Sequence, residues 1–128
     1  MILDDYIVQF EAEINCIYMN LRMMENWFDN DEHESIKAEN FILKFETIAE
    51  KCDKALDISN IIEMLINTSA AFFTNMQLRI SEIYSCAKIA LKSLIQPIDN
   101  NDYNYYDDLV QILLKWIKQV KEYSKEII

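Results

Sequence analysis

The sequence predicts an all-α protein, an antiparallel bundle of four long helical segments. Apolar residues recur at spacings of three and four along most of the chain, the period of a helix buried on one face. Glycine is absent and proline occurs once in 128 residues. Without glycine the chain lacks the default residue for the φ > 0 positions of hairpin turns and helix C-caps, so tight β-hairpins are disfavoured and helices must end on asparagine or aspartate. Asn30, Asn100 and Asn101 are available for that purpose. A length of 128 residues with 52% hydrophobic side chains suits one domain, 1–128, able to enclose a core without disulfides or a metal.

The first helix is marked by Leu3, Ile7, Phe10, Ile14, Ile17, Leu21, Met24 and Phe28, spaced four and three throughout. Tyr6, Tyr18, Met23 and Trp27 widen that stripe, so this helix is expected to face more than one neighbour. In DNDEHES, Asp31 supplies an N-cap with Glu34 in the capping-box position, and a second helix follows to about Leu56 on the stripe Phe41, Phe45, Ile48, Cys52 and Ala55. Asp57 or Ser59 is expected to cap a third helix. Its stripe runs from Ile62 through Ile66, Ser69, Phe73, Met76, Ile80, Ile83, Ala87, Ala90 and Leu94 to an end at Gln96 and Pro97. From Ser59 to Ile95 this makes roughly 55 Å of helix. The alternative is a break near residues 67–74, where Asn67, Thr68, Ser69 and Thr74 compete with the backbone for hydrogen bonds, giving five segments. The last helix follows a loop bearing Tyr103, Tyr105 and Tyr106. Its apolar face is drawn from Leu109 or Val110, Leu113, Trp116 or Ile117, Val120 and Ile127, with Lys115, Lys118, Lys121 and Lys125 along another.

The net charge of −10 is carried entirely by one half of the chain. Residues 1–63 hold fifteen Asp/Glu against five Lys/Arg, and residues 64–128 hold seven against seven. Such a field repels phosphate backbones, so no nucleic-acid partner is expected, and it favours a basic protein. No apolar run approaches a membrane span, and the first residues are acidic where a signal peptide would be basic. Cys16, Cys52 and Cys86 form no CxxC pair. A reduced, cytoplasmic setting without membrane insertion is the expectation.

Catalytic chemistry is sparsely supplied. The single histidine, His33, lies between acids at a helix start, and no nucleophile and base pair at a recognisable spacing accompanies it. Glycine-rich phosphate loops are excluded by composition. Glu39, Glu46, Glu50, Asp53 and Asp57 share one face of the second helix, turned away from its apolar stripe. Glu50-x-x-Asp53 resembles half of the ExxE and ExxD pattern of helical nucleotide pyrophosphatases of the MazG type, whose other half has no counterpart here. That resemblance implies a metal-dependent phosphohydrolase as the alternative enzyme reading. HEPN-type ribonucleases are also small bundles, but neither Arg22 nor Arg79 begins their Arg-x4-His constellation. No enzyme, cofactor or metal is therefore expected.

Recognition surfaces remain. The acids Glu39, Glu46, Glu50 and Asp53 form one candidate for partner binding. Tyr103, Tyr105 and Tyr106, with Asp107 and Asp108, form the other. Tyrosines are stiff and amphipathic and are enriched in contact patches, although at least one of these three is expected to fold back onto the core. LLKWIKQV, a late Trp-bearing helix, together with length and acidity, resembles flagellin export chaperones. ISEIYSCAKIALKS followed by a polar loop and YDDLVQILLKWI resembles poxviral Bcl-2-like proteins, which implies a host-interaction role and a shorter central helix. Small bacterial immunity and phage inhibitor proteins share the acidity and helicity. The expected function is non-enzymatic: an acidic bundle that binds a basic or helical protein and inhibits, neutralises or chaperones it. The regular heptads also allow a homodimer.

Overall fold

A computed structural model describes residues 2–30, 38–67, 70–94 and 102–127, the side chains of Asp102 and Tyr103 excepted. Four helices follow one another: α1 Ile2–Asp29, α2 Ala38–Ile66, α3 Ala71–Leu94 and α4 Asp102–Ser124, with a 3-10 turn at Lys125–Ile127. At 28, 29, 24 and 23 residues they span about 35–44 Å each. α1 packs against α2 and α4, and α3 packs against α2 and α4, closing a ring of antiparallel neighbours. The fold is the all-α bundle that the three-four spacing predicts.

Burial follows the predicted stripes. On α1, Phe10, Ile14, Ile17, Leu21, Met24 and Phe28 are buried, and Leu3 and Ile7 pack half-buried against them. Phe41, Phe45, Ile48, Cys52 and Ala55 of α2 are buried, as are Phe73, Met76, Ile80, Ile83, Ala87, Ala90 and Leu94 of α3. On α4 both Leu109 and Val110 enter the core, Ile117 is buried where Trp116 stays half-buried, and Leu114, outside the expected set, is buried too. Aromatic rings knit α1 to α2: Trp27 meets Phe41 edge-on at 5.1 Å and Phe28 lies 5.7 Å from the same ring.

One boundary differs from expectation. Asp57 and Ser59 cap nothing; α2 runs through them to Ile66, and the break falls after it, at the site of the predicted alternative. The reason is local. Ser59 is fully buried, its hydroxyl donating to the Leu56 carbonyl at 2.7 Å and accepting from Gln77 Nε2 at 3.1 Å. Gln77 Nε2 also donates to Asn60 Oδ1 at 3.0 Å, so a serine that sequence rules assign to a cap instead ties α2 to α3. The turn itself is made by Asn67, whose φ of 50° is left-handed, with its N–H donating to the Glu63 carbonyl at 3.0 Å. Asparagine thus takes the capping position that glycine usually fills. The Ala70 carbonyl then accepts from Phe73 and Thr74 to begin α3. The number of helices stays at four because a boundary moved and none was added.

The second difference concerns the tyrosine segment. The expected loop is helical from Asp102, and Tyr106 is buried at 3% exposure, its ring 6.3 Å from Phe45 and 5.2 Å from Tyr105. Tyr106 lies in helical register with Leu109, Val110 and Leu113, which draws the first turns of α4 onto the core. The predicted cap at Asp31 and Glu34, together with His33, Ser69, Gln96, Pro97, Asn100 and Asn101, lies outside the described residues.

The left-handed cap generates a stability test. In urea unfolding, Asn67→Gly is expected to match or exceed the parent, whereas Asn67→Ala loses about 1 kcal/mol because a Cβ-bearing residue without a local hydrogen-bonding side chain is penalised at φ > 0.

Candidate functional site: the acidic groove between α2 and α3

The acids at 39, 46, 50, 53 and 57 repeat at three, four and seven residues, so the helix sets them on one face. All five are exposed. Glu46, Glu50 and Asp53 form one wall of an open groove of about 250 Å³, with Ala49 and Tyr84 at its base and Lys88 and Leu91 of α3 opposite. A second depression of about 300 Å³ continues it, sharing Glu46, Lys88 and Leu91 and adding Ile42 and Lys92. Together they make a trough along the α2/α3 seam with acids on one side and lysines on the other.

Beside the trough, Lys54 Nζ reaches Glu50 at 3.2 Å, an exposed i,i+4 pair of small energetic weight. Lys88 Nζ lies 5.9 Å from the centroid of the Tyr84 ring, held toward an aromatic face. Glu39, Glu46 and Asp53 have no ion pair among the described residues. Lys88 and Lys92 were not singled out by the sequence; they lie some forty residues from the acids, and the signal that would have found them is their i,i+4 spacing around Leu91.

The other predicted surface is divided by the fold. Tyr105 is 48% exposed and Asp108 is exposed, while Asp107 is half-buried and Tyr106 belongs to the core. Burial withdraws Tyr106 from any contact patch, and the Tyr103 side chain is outside those described. The Phe45–Tyr106 contact puts the start of α4 at the same end of the bundle as the start of α2. α2 and α4 face each other across the ring, however, so the structure does not unite Tyr105 and the acidic wall on one surface.

Other ionic contacts are structural in character. Lys51 Nζ reaches across to Glu13 of α1 at 3.2 Å, and that hydrogen bond and charge together raise the lysine's pKa above its ordinary value. Of the predicted lysine row, Lys121 of α4 sits 3.8 Å from the Tyr18 ring centroid, and Lys125, in the 3-10 turn that follows, donates to Glu122 at 3.0 Å. Among the described residues no three histidine, cysteine, aspartate or glutamate side chains are grouped to hold a metal ion, the acids of α2 included. No helix among them is long and apolar enough to cross a membrane.

The cysteines follow their burial. Cys52 is fully enclosed, and Cys16 and Cys86 are partly so. Cys16 accepts from Asn20, a buried polar side chain whose amide also donates to the Cys16 carbonyl at 2.8 Å. Burial, helped by the charge of Asp53, pushes the Cys52 thiol up from 9.0 to about 12. Burial, with Glu82 nearby, also raises Cys86.

Compared with known proteins, the chain matches no family model, no curated protein and no solved structure.

A thiol-specific reagent at neutral pH is expected to leave Cys52 unlabelled until the protein is denatured. The same shift sets a pH dependence. With the folded pKa above the unfolded value of 9.0, the native state keeps a proton that the unfolded chain releases. That contribution is complete below pH 9.0 and is lost as pH rises toward about 12. Between about pH 9 and 11, stability measured by urea midpoints should fall less in Cys52→Ala than in the parent, by roughly 1–3 kcal/mol.

Proposed function

We propose that this chain is a non-enzymatic protein-binding bundle, which captures a basic segment of another protein along the acidic wall of α2 and thereby inhibits, neutralises or chaperones it. The observation that carries this reading is the row Glu39, Glu46, Glu50 and Asp53. These carboxylates are exposed and aligned over four helical turns, Glu46, Glu50 and Asp53 border an open trough, and only Glu50 has an ion-pair partner among the described residues. A row of acids beside a groove, most of them without an ion-pair partner among the described residues, suits lysine or arginine side chains presented at helical or extended spacing. Ile42, Ala49, Tyr84 and Leu91 supply apolar contact between the charged walls. Lys88 and Lys92 would select against a uniformly basic ligand and favour one bearing an acid on the α3 side.

The charge distribution supports the same reading. All of the −10 charge precedes residue 64, so the field that steers an incoming cationic partner is centred on α1 and α2. Inhibitor, immunity and chaperone roles share this mode of capture. They differ in what the captured segment does when free.

The test is capture from the native source by tagged protein, in low and high salt, with Glu46→Lys/Glu50→Lys/Asp53→Lys as comparison. A basic partner bound by the parent, released by salt and weakened at least about tenfold by the triple reversal is the expected result. Capture that is indifferent to the three reversals would remove the acidic wall from the reading.

A further inference from the structure

The ring exposes a second surface of opposite character. On α3, Leu78 and Ile89 are each 55% exposed, and on α4 Tyr105 and Ile112 are 48% and 46% exposed. An open groove of about 430 Å³ at the α3/α4 seam is lined by Leu78, Ser81, Glu82, Ser85, Cys86 and Trp116. Leu78 and Ile89 stand about three turns, roughly 16 Å, apart on one face of α3. The small side chains of Ser81 and Ser85 lie between them. The charges beside the groove are already mutually satisfied: Arg79 donates to Glu82 at 2.6 Å and stacks 5.2 Å from the Trp116 ring.

From this we infer that the α3/α4 face is the docking surface for a second copy of the same chain, giving a two-fold dimer. Charge selects both the face and the occupant. Two copies of a −10 chain repel unless they meet where the field is weakest, and residues 64–128, which supply α3 and α4, have no net charge. Contact there places the two acidic halves at opposite ends of the assembly. The exposed apolar residues of α1 and α2, such as Val8, Met19, Leu43 and Met64, lie instead in the half that carries all of the net charge.

The pattern on α3 is also self-complementary. With α3 helices antiparallel across a two-fold axis near the middle of the segment between positions 82 and 85, position 78 of one copy falls opposite position 89 of the other. The same register sets Glu82, already paired with Arg79, opposite Ser85 of the other copy, with the large Leu78 and Ile89 at the two ends of the contact. A basic partner, by contrast, finds no uncompensated acid at this groove; it is suited to the α2 wall, on a different seam.

The test is the mass of the full chain by light scattering over concentrations from about 1 to 200 µM, where a modest two-fold interface is populated. The parent is expected to approach twice the 15.2 kDa of one chain at the upper end. Leu78→Glu and Ile89→Glu, each at an exposed position and each checked for retained helicity by circular dichroism, are expected to weaken dimerisation at least about tenfold, since every substitution occurs twice in the interface. Val8→Glu, the same change in charge on α1, is the control and should leave the dimer intact. A parent that stays monomeric throughout overturns the inference. So does a dimer indifferent to both α3 substitutions, or one lost in Val8→Glu.

Discussion

Everything in this molecule depends on the burial of four apolar stripes against one another. Each helix presents residues at three-four spacing, and each packs on two neighbours, so no stripe is covered until the ring closes. The largest of the fully enclosed side chains, Phe10, Phe41, Phe45 and Phe73, come from α1, α2 and α3, while α4 contributes Val110, Leu113, Ile117 and Val120. Fully burying one such side chain is worth roughly 1.5–3 kcal/mol. Surface ion pairs such as Lys54–Glu50 and Lys125–Glu122 are each worth well under about 1 kcal/mol. The apolar stripes therefore decide the fold, and the charged residues are free to be arranged for something else.

The stripes were legible in the sequence because period alone identifies them. What period could not supply was the position of the chain reversal, since the apolar spacing continues through both Ser59 and Asn67. Residue type pointed the wrong way at Ser59, a preferred cap that here spends its hydroxyl on Leu56 and Gln77 inside the core. It pointed the right way at Asn67, one of several polar residues in the weak stretch of the predicted long helix, whose left-handed backbone ends α2. The distinction rests on a tertiary contact, the Gln77 amide from α3, which no local rule contains.

Tyr106 shows the same limit from the functional side. In the sequence it is one of three tyrosines among aspartates and asparagines that read as a contact patch, at least one of them expected to fold onto the core, but nothing local says which. In the fold it is in register with Val110 and Leu113 and closes the core against Phe45, leaving Tyr105 as the exposed member among the described side chains. The acidic wall was legible because all its members share one helix. The trough it borders was not, because the facing Lys88, Leu91 and Lys92 become neighbours only once α2 and α3 reverse on each other.

The separation of charge and apolar surface has a consequence for how the two proposed contacts would combine. The acidic trough follows the α2/α3 seam and the neutral face follows α3/α4, so α3 is shared but the seams are distinct. A dimer closed on the neutral face would leave two acidic walls pointing away from each other, each open to a basic segment. Two such sites on one rigid body would hold a partner bearing two basic segments more tightly than either site alone, provided the spacing between segments matched the span. For a partner with a single segment, the dimer would change stoichiometry and not affinity. The same −10 charge that would restrict self-association to the neutral halves would then supply the attraction for the partner, so self-association and capture would be set by one asymmetry in the sequence.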